Sequence, residues 1–313
     1  MSTGILSSWG FRKESTQNTR AVVNRFHEHV SESVVADVKR IESKGQRGGR
    51  RTAPGWSAGN THVGGGIALE MVPENAGALL DMCIGTAAST TGAGPYVHTF
   101  TPAALSSWTH QYGRPGTAGV THPFEYTGMM VNSWSLSISA DGDGSMIEFT
   151  MDFLGHGEDV GQSLVATAYP TLTARWTSVQ ASITVGGTAV PITALTLNGA
   201  NNLRQKFNAQ AAGPGLATIG EAGYRVYDGS FSADFKDLTQ YNLYKAGTEN
   251  ALVLTIDDGT SDLVITTNAR YDGGTPTTSG TDVIEEETMF VCTSETSDGA
   301  AITAVLTNAD STP

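Results

Sequence analysis

His27 and His29 stand two residues apart, so on a strand they would share a face and could bring two imidazoles to one metal ion. The spacing fixes no third ligand, and Glu28 would point away, so a surface pair on an arm is the plainer reading. Asp141 and Asp143 match the opening of a calcium loop, but the later ligands and the closing glutamate are missing, which leaves a hairpin turn. Gly64-Gly65-Gly66 is not followed by Gly-Lys-Ser/Thr, so it does not form a phosphate cradle. Glu285, Glu286 and Glu287 supply carboxylates for acid–base work. On a strand, however, Glu285 and Glu287 face one way and Glu286 the other, which reads as an acidic edge rather than a convergent pair. Nothing resembles a Gly-x-Ser-x-Gly elbow in the strand–turn–helix setting that a nucleophile needs. Trp108 and Trp134 read as core or interface anchors rather than a sugar platform. The expectation is a protein without catalytic residues, metal or cofactor.

The elements around these residues are mostly strands. The clearest hairpin joins Gly128–Ala140 to Ser145–Phe153 through Asp141-Gly142-Asp143-Gly144. Its second arm puts Ile147, Phe149, Met151 and Phe153 on one face and Met146, Glu148, Thr150 and Asp152 on the other. In its first arm, Trp134, Leu136 and Ile138 oppose Ser133, Ser135 and Ser137. Further hairpins are expected around Gly186-Gly187, Asp257–Thr260 and Ser297-Asp298-Gly299. Residues 1–20 are polar and without period, and read as an arm or loop.

One pattern recurs half a chain apart. Gly65-x-Ile67-x-x-Glu70 precedes a helix-like stretch, Asn75–Ile84 with Asn75 as N-cap, and then Gly85-Thr86. Gly229-x-Phe231-x-x-Asp234 precedes Leu238–Ala246 and then Gly247-Thr248. A repeat of this period sets the whole fold. The expected fold class is all-β, a β-sandwich or barrel with a short flanking helix in each of two related halves. The expected division is 1–60 as N-terminal arm and first strands, 61–158 as one half, 159–177 as linker and 178–313 as the other half.

The 313 residues carry 18 Lys and Arg against 31 Asp and Glu, a formal charge of −13, which disfavours a conventional nucleic-acid binder. The charge is uneven: Lys39, Arg40, Lys44, Arg47, Arg50 and Arg51 form a basic cluster on an otherwise acidic chain. The two cysteines, Cys83 and Cys292, suit buried free thiols rather than a disulfide framework. Neither a signal-peptide pattern nor an apolar run of membrane-spanning length is present, so the chain is expected to be made in the cytoplasm and to have no membrane partner.

Several stretches together resemble the tail tube (major tail) proteins of long-tailed, non-contractile bacteriophages of siphovirus type. They include Arg25-Phe26, Ser31-Glu32-Ser33, Lys39-Arg40-Ile41, Gly65-x-Ile67-x-x-Glu70 and Leu79-Leu80-x-x-x-Ile84-Gly85. His98-Thr99-Phe100-Thr101-Pro102 and Leu105–Thr109 follow, and Phe124-x-Tyr126-x-Gly128-x-x-Val131-Asn132-Ser133-Trp134 is the most characteristic. Gly229–Phe235 and Leu238–Tyr244 extend the resemblance into the second half. It implies a structural virion protein, made in the host bacterium, that forms rings stacked into a tube conducting genome DNA without specific binding. A tape measure protein and a tail terminator would be its further partners.

In that frame Glu148, Asp152, Ser133 and Ser135 are candidate lumen-facing residues, and the acidic triplet can face the lumen too. Arg25, Phe26, Lys39, Arg40, Arg47, Arg50 and Arg51 are candidate arm contacts between rings or subunits. Two tube-type halves per chain favour a trimer with pseudo-sixfold symmetry; a hexamer is the alternative. Rival readings are a tail terminator or baseplate part of related fold, a β-sandwich adhesin or capsid decoration protein, and a glycan hydrolase.

Overall fold

The computed structural model describes residues 4–52, 54–85, 87–90, 94–117, 119–140, 142–208, 216–272, 284–294 and 301–313. The chain opens with β1 (Ser8–Lys13), β2 (Arg25–His27), β3 (Ser31–Glu32), β4 (Val35–Glu42) and β5 (Trp56–Glu70), and then helix α1 (Ala76–Cys83). It continues with β6 (Ala87–Ser89), β7 (Tyr96–Phe100), β8 (Trp108–Pro115), β9 (Thr121–Ser139), β10 (Glu148–Gly155) and β11 (Gly157–Asp159). Next come β12 (Ala181–Val185), β13 (Thr188–Val190), β14 (Ala194–Ala200), β15 (Leu203–Phe207), β16 (Leu216–Glu221) and β17 (Val226–Asp234). Helix α2 (Thr239–Ala246) leads to β18 (Glu249–Asp257), β19 (Asp262–Tyr271), β20 (Glu285–Cys292) and β21 (Ile302–Asn308). The class is all-β, as the alternating patterns predict: large antiparallel sheets with two short helices.

The pairing scheme occurs twice. β1 pairs with β2 and β8, β8 with β9, β9 with β10 and β11, β10 with β5, and β5 with β4. Replacing β1, β2, β4, β5, β8, β9, β10 and β11 by β12, β13, β14, β17, β18, β19, β20 and β21 reproduces every one of these antiparallel pairings in the same chain order. The sequence motif sits at matching points of the two schemes. Gly65 lies opposite Phe153 and Glu70 opposite Glu148, while Gly229 lies opposite Phe290 and Asp234 opposite Glu285. Both glycines are required by close approach: a Cβ would stand 2.3 Å from the Ser33 carbonyl oxygen at Gly65, and 2.2 Å from that of Thr196 at Gly229.

The two schemes join along one seam. The N-terminal part of β9 pairs with β8 and β11, and its C-terminal part with β10 and with β14 of the second scheme. Trp134 marks the seam: it is buried, its ring lies over Gly199, and it packs 5.9 Å from Phe149 and 6.2 Å from Tyr227 between ring centroids. A second crossing pairs β7 with β21.

Residues 8–13 are not a polar arm. They form β1, whose Trp9 and Phe11 are fully buried beside His110 and Tyr112. Period-2 logic misses this strand because only these two apolar side chains carry it. The following turn is pinned by buried Glu14, which accepts hydrogen bonds from Ser107 Oγ (2.6 Å), Thr109 Oγ1 (2.9 Å) and the Gly128 amide (2.8 Å). The segment between the two schemes is anchored as well, since Trp176 is fully buried and donates from Nε1 to Asp258 Oδ2 (3.2 Å). Hairpin β15–β16 and the short strand β11 were not anticipated, and the hairpin turn expected at Ser297-Asp298-Gly299 lies outside the described residues.

The helices differ in environment, for a reason visible in their composition. α1 is apolar all round except for Asp81, and every residue is buried. Lys13 Nζ reaches Asp81 Oδ2 at 2.6 Å, yet burial still raises that carboxyl above its usual range. Asn75 does not cap α1 with its side chain, which donates instead to the Phe26 carbonyl (3.0 Å). The Asn75 amide is satisfied by Asp310 Oδ2 (2.8 Å). α2, with Asn, Lys, Gln and two Tyr among its eight residues, has none buried.

Candidate functional site

The four residues expected to line a lumen lie on one face of neighbouring strands. Asp152 is opposite Ser133, Thr150 opposite Ser135, and Glu148 opposite Ser137, while Phe149, Met151 and Phe153 are buried on the other face. The alternation of strand side chains carries this face outward on both sides. Across β5 it adds Gly66, Ala68 and Glu70; across β14, β17 and β20 it adds Thr196, Asn198, Asp228, Ser230, Ser232, Asp234, Glu285 and Glu287. Ser135 Oγ donates to Asn198 Oδ1 (2.7 Å), and Asn198 Nδ2 donates to Asp228 Oδ1 (3.1 Å), so hydrogen bonding crosses the seam on this face.

The chemistry of this face is one-sided. Glu70, Glu148, Asp152, Asp228, Asp234, Glu285 and Glu287 lie on it, and β5, β10, β14, β17, β20 and residues 130–139 of β9 contain no Lys or Arg. Glu70 directly opposes Glu148, and Asp234 directly opposes Glu285. Like charges placed opposite one another weaken a sheet, and an ordinary solvated face interleaves lysine among its acids. Arg175 lies at the margin, held 3.3 Å from Glu70 and 2.7 Å from Glu28. Partial burial raises the Asp152 carboxyl above its usual value. The remaining side chains are chiefly Ser, Thr, Asn, Ala and Gly, joined on β20 by Val291 and by Met289, which is 52% exposed.

The acidic triplet alternates as its sequence implies. Glu285 and Glu287 are exposed on the acidic face, and Glu286 is buried on the other. Burial, followed by repulsion from Asp237, raises the Glu286 carboxyl.

The basic cluster is not part of a chain terminus. Lys39 and Arg40 lie on β4, and Lys44, Arg47, Arg50 and Arg51 on the loop joining β4 to β5, all exposed. β4 and the first part of β5 form a hairpin with little buried surface, since Val35, Val38, Ile41 and Trp56 are each more than half exposed. Arg40 lies over the Trp56 ring at 5.0 Å, and Lys39 is paired with Asp37. Arg25 and Phe26 do not join this hairpin. Phe26 is buried on β2, with its ring edge-on to Tyr169, and Arg25 donates to Thr312 Oγ1 (2.6 Å). The period gave no sign of this, because β2 is only three residues long.

The histidine pair does not form a metal site. β2 ends at His27, which is buried rather than on a surface arm, and its Nδ1 lies 2.6 Å from the Glu28 carbonyl oxygen. His29 Nε2 lies 3.2 Å from Ser7 Oγ. Burial lowers the pKa of both imidazoles. No group of three metal-ligating side chains occurs among the described residues. Cys83 and Cys292 are free and buried, and burial raises both thiols, Cys292 to about 12. No helix among the described residues is long and apolar enough to cross a membrane.

Residues 4–297 match a family model described as phage tail tube protein. No curated protein matches the chain.

Proposed function

Since the chain belongs to the phage tail tube protein family, a structural part of the virion tail, we propose that it polymerises as stacked rings into a tube that conducts DNA, with the β5–β10–β9–β14–β17–β20 face turned to the lumen. One observation carries this reading: seven carboxylates, and no Lys or Arg, on a face of small polar residues. Facing phosphates, such a wall repels DNA and offers it no cation to bind, so the duplex slides. Facing bulk water alone, the directly opposed acid pairs would serve no purpose.

The doubled pairing scheme supports a ring of three chains, in which six equivalent units surround the lumen. The basic tip of the exposed β4–β5 hairpin suits contact with the acidic surface of an adjacent ring. A tape measure protein inside the tube and a terminator at its end would complete the set of partners.

Negative-stain microscopy of purified protein tests this directly. Tubes built of rings with six lobes and three chains are expected. Rings that never stack would favour a terminator, and six-chain rings would overturn the trimer. The lumen assignment has its own test in Glu148→Lys with Asp152→Lys. Tubes of normal form with retarded DNA ejection are expected, and normal ejection would show that this face does not meet DNA.

A further inference from the structure

α1 is clamped end to end by the second pairing scheme. At its start Asp310 Oδ2 accepts from the Asn75 amide (2.8 Å), Asn308 Nδ2 donates to the Pro73 carbonyl (2.8 Å), and Pro313 lies against Gly77. At its end Asn201 Nδ2 donates to the Cys83 carbonyl (3.0 Å) and Arg225 Nη1 to the Ile84 carbonyl (2.8 Å). These groups satisfy helix-terminal amides and carbonyls that would otherwise be orphaned.

α2 occupies the matching place in the repeat, following β17 as α1 follows β5. Nothing of comparable extent covers it among the described residues. None of its residues is buried, and Leu238 and Tyr244 on and beside it are 55% and 41% exposed. The strand edges show the same asymmetry. β14 pairs with β17 on one side and with β9 across the seam on the other, whereas its counterpart, β3 with the start of β4, pairs with β5 alone among the described residues. One chain therefore carries one completed junction and leaves α2 and the β3–β4 edge without the matching cover among the described residues.

We propose that α2 is the docking surface for the first half of a second copy of this chain, which clamps it as the second half clamps α1. The proposal rests on the ring reading above and names the faces that close the ring. Register identifies the covering residues. Asn198 is opposite Asp228 and Val35 opposite Gly64, each one residue before its repeat glycine, so Val38 of the incoming copy takes the place that Asn201 holds over α1. Val38 is itself 51% exposed on its hairpin stem, as a residue waiting for a partner would be. A contact of this kind is heterologous, one surface meeting a different one, and so builds a ring where the rotation closes rather than a twofold dimer.

The test substitutes Leu238→Asp together with Tyr244→Asp and reads assembly by microscopy and sedimentation. Complete loss of rings is expected, with circular dichroism and melting temperature of the single chain unchanged because both sites are exposed. Rings at wild-type yield would overturn the docking surface and leave the ring reading standing. Absence of rings from the unsubstituted protein would instead remove the ring reading itself. Should the double variant unfold, Val38→Cys with Ala246→Cys decides the matter through a short bismaleimide. Covalent products ending at three chains are expected from the pair and from neither single variant, the native thiols being buried. No linkage in intact rings would overturn the proposal.

Discussion

The seam between the two pairing schemes rests on one contact that can be measured in isolation. A Cβ added at Gly199 would stand 2.3 Å from Cε2 and Nε1 of Trp134. Phe149 and Tyr227 wall the ring, which is 4% exposed, so it has no room to swing aside. Overpacking of this sort costs about 1–3 kcal/mol. The backbone at Gly199 raises no objection, and at a compatible site Gly→Ala would stabilise by about 0.4–1 kcal/mol. Net of that gain, Gly199→Ala is expected to destabilise by up to about 2.6 kcal/mol, a sizeable share of a typical 5–15 kcal/mol total. Trp134→Leu alone is expected to cost less than the roughly 3–5 kcal/mol of full truncation to alanine. In the Trp134→Leu background the added methyl group has space, so Gly199→Ala should instead stabilise by about 0.4–1 kcal/mol. The coupling between the two sites is then about 1–3 kcal/mol. Urea unfolding of dilute single chains, followed by near-ultraviolet circular dichroism, reads all four corners of the cycle. Effects that add to within about 0.3 kcal/mol would refute the packing of Trp134 on Gly199 and with it the seam.

His110 predicts an acid limb. Fully buried among Trp9, Phe11 and Phe153, it has its pKa lowered to about 3 by burial. The unfolded chain binds this proton below pH about 6.5 while the folded chain does not, so the contribution is present above pH 6.5 and is lost as pH falls toward 3. The loss is about 1.4 kcal/mol per pH unit within that window, and His110→Leu should flatten the slope of stability against pH by one proton, as urea titrations at several pH values would show. Reversing Arg47, Arg50 and Arg51 to Glu should leave rings intact but abolish their stacking, with single rings replacing tubes in micrographs; tubes of normal length would refute the role given to the hairpin tip.

Much of the fold can be read in the chain because antiparallel strands with one buried face alternate. Phe149, Met151 and Phe153 against Glu148, Thr150 and Asp152 define the central hairpin and its acidic face before any coordinates. β1, β2 and β11 escape this logic: they are short, and β1 is recognisable only through the partners that bury Trp9 and Phe11. The basic cluster is visible as composition, but its placement on a hairpin rather than a terminal arm depends on β4 pairing with β5, whose inward residues are few. Phe26 shows the limit from the other side, since a three-residue strand gives no period from which its burial could be inferred.

The duplication shows why so complete a structural repeat leaves so faint a sequence trace. Alternating positions need only be apolar inside and polar outside, so Ile67 and Phe231, at matching points and both buried, satisfy one rule with different residues. Identity survives where geometry admits no substitute, at Gly65 and Gly229, where a neighbouring backbone carbonyl excludes any side chain. The acids survive for a different reason. Glu70 against Glu148 and Asp234 against Glu285 oppose like charges at the edges of both units, which folding alone disfavours. The motif therefore joins one residue fixed by packing to one at odds with it, which on the lumen reading combines fold and function. α1 is apolar because the same chain covers it, whereas α2, with no buried residue, carries Leu243, Ala246 and two tyrosines among polar side chains, as the proposed docking of a second copy requires.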